Sequence, residues 1–183
     1  MAILKTAKMG HPILRTTADP VEPDAILEDG FQQLIDDMIE TMHEYDGAGL
    51  AAPQVHEGVQ LVVIEMRENR RYPEAPTIPL TILINPVVTP LTDEKVSGWE
   101  GCLSLPDLRG RVCRYRAIEV VALNREAQPI CFSAEGFLAT VIQHEVDHLN
   151  GILFVDRMTD LRSLSYLPEY ERYWCGPVPT PCS

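Results

Sequence analysis

Apolar residues recur at Leu27, Phe31, Leu34, Ile35, Met38 and Met42, a helical spacing that follows Pro23 and closes at Gly47. The pattern predicts a helix from about Asp24 to Glu44, with the methionines filling a core. The small-residue stretch GAGLAAPQV then reads as a loop. The periodicity changes in VQLVVIEM (59–66) and LTILINPVV (80–88), two β-branched runs that predict strands. Between them RENRRYPEAPTIP carries three prolines and mixed charge, which suits an exposed excursion. RVCRYRAIEVVALN and QPICFSAEG predict a hairpin feeding a second helix. Ser133 is its expected N-cap, Phe137, Leu138, Val141, Ile142 and Leu149 are its apolar positions, and Asn150-Gly151 is its stop. Beyond Asp156 the signal weakens, and WCGPVPTPCS is expected to fray. Strands followed by one buried helix, without βαβ alternation, predict an α+β fold. Mixed or antiparallel strands would pack around that central helix, with one further helix near the N-terminus. The expected organisation is a single domain over 1–158 and a proline-containing tail over 159–183.

Composition narrows the function classes. The 183 residues, 45% apolar and 23% charged, suffice for one domain with a well-buried core. A formal net charge of −12 argues against direct nucleic-acid or anionic-membrane binding, both of which need clustered Lys and Arg. No apolar run approaches the roughly 18 residues of a membrane span. The opening MAILKTAKMGHPIL has neither the apolar core nor the cleavage site of a signal peptide. Five cysteines, at 102, 113, 131, 175 and 182, make a poor disulfide framework and suit a reducing compartment, so a cytoplasmic location is expected. Cys113 and Cys131 are expected on strands as small buried hydrophobes.

The chemistry concentrates in VIQHEVDHLNG (141–151). Residues four apart share one helix face, so His144 and His148 project together with Glu145 beside them. Two imidazoles at this spacing suit a divalent transition metal, and the intervening carboxylate suits proton transfer from an activated water. The third ligand decides among reaction types. A metzincin-like site needs a histidine where Phe154 stands, and an apolar residue cannot ligate. A thermolysin-like site needs a later glutamate, for which only Glu169 and Glu171 are available, on the weakly helical LPEYERYW. Cys102, in the loop WEGCLSLPDLRG, supplies a thiolate candidate, although on spacing alone Cys113 and Cys131 stand nearly equal to it.

Three segments together resemble peptide deformylase: GAGLAAPQ (47–54), EGCLS (100–104) and QHEVDH (143–148). MGHPIL near the start is similar to that family's N-terminal segment, and the resemblance runs from about residue 5 to 158. It implies a hydrolase that removes formyl from the N-terminal formyl-methionine of new polypeptides and releases formate. By resemblance, Cys102, His144 and His148 bind one divalent metal, Fe2+ first, with Ni2+, Co2+ or Zn2+ able to substitute. Glu145 is then the acid/base, and the Gln54 amide and the Leu103 N–H meet the formyl oxygen. Ala48, Gly49 and Gly101 are small enough to let the backbone approach substrate. Phe137 and Val141 are candidates for the methionine pocket, Arg109 for the peptide backbone, and Glu100 for supporting a ligand histidine. Asp147 is expected in a structural salt bridge, and His11, His43 and His56 at surface or turn positions.

The chain also departs from the family pattern. Ala48 stands where many relatives carry a branched residue, which widens the pocket. The tail is proline-broken and not basic, which argues against ribosome docking through a basic C-terminal helix. Two rival readings are a non-catalytic structural metal module, which ordinarily needs a fourth protein ligand, and a free Cys102 nucleophile.

Overall fold

The computed structural model describes residues 2–67 and 76–175, together with the backbone of 180–181. In chain order it comprises α1 (Pro23–Ile26), α2 (Asp29–Glu44), β1 (Gly49–Ala51), β2 (Leu61–Met66), β3 (Ile78–Pro90), β4 (Lys95–Cys102) and β5 (Leu105–Tyr115). There follow β6 (Ala117–Leu123), β7 (Pro129–Glu135), α3 (Gly136–Leu149), α4 (Phe154–Arg157), β8 (Ser165–Tyr166), α5 (Leu167–Tyr173) and β9 (Thr180–Pro181). One sheet has the order β1-β2-β3-β6-β7 and the other β8-β5-β4-β9. All these strand pairs are antiparallel. Helix α3 packs against both sheets, so the expected α+β architecture around a central helix is the one found.

The apolar run of β2 has a simple cause. Its residues are buried on both faces: Val62 and Ile64 join Ile142 and Leu149 of α3 in one core, while Leu61 and Val63 meet Ile35, Met38 and Met42 of α2 in another. A strand covered on both sides loses the polar half of its alternation.

Several boundaries differ from expectation. The first helix is broken, because Glu28 is extended (φ −70, ψ 141) and restarts the helical register at Asp29. Leu27 is therefore thrown out to 58% exposure, although its spacing placed it on the apolar face. GAGLAAPQV is not all loop, since Gly49–Ala51 pairs with β2 and Ala52–Val55 forms a 3-10 helix. The strands VQLVVIEM and LTILINPVV are present as β2 and a longer β3. Residues 68–75 of the excursion between them lie outside the described residues. Ser133 does not cap α3: β7 stays paired with β6 as far as Glu135, and Gly136, at φ +59, makes the turn into the helix. The stop is as expected, with Gly151 at φ +69. Of the tail, Thr180–Pro181 pairs with β4; residues 176–179 and 182–183 lie outside the described residues.

The cysteine reading needs correction. Cys113 is disulfide-bonded, while Cys102, Cys131 and Cys175 are free. Along β5, Val112 and Arg114 turn inward, so Cys113 faces the other way and is no buried hydrophobe. Cys131 is exposed for the same reason of strand alternation on β7. Cysteine usage therefore does not argue for a reducing compartment.

Candidate metal centre

Helix α3 carries His144, Glu145 and His148, all buried, and β4 delivers Cys102 to them at its end. The Cys102 sulfur and one nitrogen from each histidine lie within 4.8 Å of one another, and Cys102 Sγ is 3.2 Å from His148 Nε2. His144 Nδ1 meets the Glu100 carboxylate at 2.8 Å, which leaves Nε2 as the ring nitrogen available to the Cys102 side. Neither Cys113 nor Cys131 reaches the pair, and Glu169 and Glu171 belong to α5, outside the cluster.

Gln54 sits in the 3-10 helix after β1, buried at 1% exposure. Its Oε1 accepts from the Ala51 N–H at 2.8 Å, which turns Nε2 toward the Cys102 sulfur and the Ser104 hydroxyl, each at 3.4 Å. An N–H needs an acceptor, so the orientation of the amide follows from the backbone. Gln54, Ala48, Gly49, Gly101, Cys102, Leu103, Phe137, Val141, His144 and Glu145 all line one small cavity of about 50 Å³. Phe137 and Val141 thus share the cavity with His144. Arg109 is the exception: its buried guanidinium packs on Gly101, its Nη1 donates to the Leu108 carbonyl, and it lines an outer groove instead. His11, His43 and His56 lie outside the cluster: His11 caps a 3-10 helix, His43 pairs with Glu65, and His56 occupies a turn at φ +71.

The glycines serve the site from behind. A Cβ on Gly49 would fall 2.7 Å from Glu145 Oε1, so glycine here leaves room for that carboxylate. Gly49→Ala is expected to keep metal content and lower kcat by about 10², because a displacement near 1 Å suffices for that loss. Steady-state kinetics beside elemental analysis checks it.

Sequence reasoning missed one buried cation. Arg114 grips Glu100 with two hydrogen bonds, Nε–Oε1 at 2.7 Å and Nη2–Oε2 at 2.9 Å, and reaches Asp147 Oδ2 at 2.5 Å. Arg157 completes the salt bridge expected of Asp147, at 2.6 Å. The available signal was an arginine two residues after Val112, on the inward register of β5. Arg114→Ala leaves the buried Glu100 carboxylate without its arginine, while Asp147 keeps Arg157, and is expected to cost about 3–5 kcal/mol in denaturant unfolding.

Electrostatics follow this geometry. Burial would raise the Glu100 carboxyl, but the Arg114 and His144 hydrogen bonds outweigh it and hold the pKa at about 2, against an ordinary 4.5. A carboxyl lowered on folding stabilises fully above its unfolded value and loses that contribution as pH falls toward the folded one. Unfolding free energy is therefore expected to drop between pH 4.5 and about 2, and less so in Glu100→Gln, as acid titration of the denaturation midpoint would record. Burial also opposes ionisation of Cys102, yet His148 and His144 hold its thiol well below the ordinary range. His144 is raised despite burial, through Cys102 and Glu100. Burial pushes Glu145 up, against the pull of both imidazoles.

A thiolate and two imidazoles suit a divalent transition metal. The buried Glu145 Oε2 and His148 Nδ1 have no hydrogen-bond partner among the described residues. An unsatisfied buried polar atom is costly, and the Glu145 oxygen, beside the cavity, fits a centre built to hold a polar reactant next to an ion.

An α+β scaffold with this donor set and a buried acid beside it defines a metal-dependent hydrolase. The family model described as Polypeptide deformylase matches residues 3–163. Peptide deformylase 1 of Bordetella pertussis is 51% identical over 159 residues, covering 87% of this chain and 89% of that protein. The Met-ala-ser-bound crystal structure of class I type b peptide deformylase from Acinetobacter baumannii superposes with a TM-score of 0.83 at 41% identity, over 86% of this chain and 99% of that one. A Thermotoga maritima peptide deformylase structure aligns at 0.76 and 33% identity, over 87% and 100%. The chain belongs to the peptide deformylase family.

Proposed function

We propose that this chain hydrolyses the formyl amide of N-formyl-methionyl peptides at the centre formed by Cys102, His144 and His148, with Fe2+ the expected metal. The observation that carries the reading is the convergence of Gln54, Glu145, Cys102 and His144 on one cavity, with His148 completing the donor set. The ion, when bound, acidifies a water and polarises the formyl carbonyl. Glu145 accepts the proton of the attacking water and delivers it to the amine as the C–N bond breaks, releasing formate. Its raised affinity for a proton suits both halves of that transfer. Gln54 Nε2 and the Leu103 N–H stabilise the oxyanion. Glu100 holds His144 in one tautomer, and Arg114 holds Glu100. Phe137 and Val141 receive the methionine side chain.

The solved relative that carries Met-ala-ser supports a peptide substrate, and new chains place the work in the cytoplasm. Among the described residues no helix is long and apolar enough to cross a membrane. The test is formate release from formyl-Met-Ala after anaerobic, iron-replete purification. Release that stops on chelation supports the reading. No release at full metal occupancy would mean a structural ion, and activity surviving chelation would mean a cysteine nucleophile.

A further inference from the structure

The family model ends at residue 163, and the chain goes on to build structure beside the site. Strand β8 adds to the edge of β5, with Tyr166 opposite Leu108 and Ser165 opposite Arg109. That ladder fastens the segment to the sheet and sets α5 against β5. The Tyr170 ring lies 4.9 Å from that of Trp99, and the Tyr170 carbonyl accepts from the N–H groups of Trp174 and Cys175. Trp99 also lines the catalytic cavity. Outside it opens a groove of about 670 Å³ whose walls include Trp99, Leu103, Pro106, Arg109, Leu167 and Tyr170. Trp99, Cys102 and Leu103 border both spaces, so groove and cavity are neighbours.

The inner cavity takes the formyl group, and a peptide that runs on past Leu103 and Trp99 would enter this groove. An extended chain advances about 3.3 Å per residue, so a groove of this volume receives the residues that follow methionine. We propose that Tyr170, with Leu167 beside it, is a specificity-determining residue: the C-terminal segment supplies an aromatic and aliphatic wall that favours a bulky apolar side chain downstream of the formyl-methionine. The inference rests on the deformylase reading and adds to it a role for the segment that follows the family model.

The experiment uses the full-length, metal-loaded enzyme and compares kcat/KM for formyl-Met-Ala, formyl-Met-Ala-Ser-Ser and formyl-Met-Ala-Ser-Phe. Wild type is expected to favour the Phe peptide over the Ser peptide by about fivefold to tenfold, the range of one aromatic contact. Tyr170→Ala should cut that ratio to about twofold or less, and Tyr170→Phe should keep it, because the ring face makes the contact. Leu167→Ala, read the same way, supplies a second variant if Tyr170→Ala does not fold. A ratio unchanged by both alanine variants, no Phe preference in wild type, or an equal loss on all three peptides would overturn the proposal. Formate from the short peptide with any of those outcomes sinks only this inference. No formate from wild type at full metal occupancy sinks the deformylase reading as well.

Discussion

Glu145→Gln is expected to retain metal at the wild-type level and to lose between about 10² and 10⁴ in kcat. The substitution keeps the shape that packs against Gly49, where the carboxylate fills the space of an absent Cβ. It removes the only property the site requires of that residue, since an amide cannot accept and return a proton. Nothing in the donor set changes, because Cys102, His144 and His148 form the cluster without it. Elemental analysis beside steady-state kinetics separates the outcomes. Loss of metal would make Glu145 a ligand, and unchanged turnover would move the acid/base elsewhere.

Gln54→Ala should lower kcat by between about 10² and 10³ with metal content unchanged, the usual cost of one oxyanion donor. The amide is pinned from one side by the Ala51 N–H and directs its Nε2 into the cavity at Cys102 and Ser104. Gln54→Glu is the sharper control. It presents a negative charge where negative charge develops, so it should lose more activity than alanine does. Activity at or above that of Gln54→Ala would remove Gln54 from the oxyanion role.

The helix with its histidine pair was legible because its evidence is local. A spacing of four puts two side chains on one face wherever that helix sits, and Asn150-Gly151 ended it where expected. Its start was misread at Ser133 because pairing of β7 with β6 carries the strand on to Glu135, and no local preference records that pairing. Leu27 fits a helical period yet lies exposed, since the break at Glu28 rotates everything before it. The choice of Cys102 rested on resemblance, because three cysteines were equivalent by spacing. The strands separate them: β4 ends at the helix, whereas Cys113 and Cys131 point away from it.

By itself the sequence determined the α+β class, the buried face of α3 and the motif trio that marks the family, all properties of short-range order. Tertiary structure decided which thiol joins the histidines, how the Gln54 amide is turned, and that Arg114 ties Glu100 to Asp147 behind the site. It also placed the C-terminal segment against Trp99. These are contacts between residues far apart in the chain, fixed by strand register and packing.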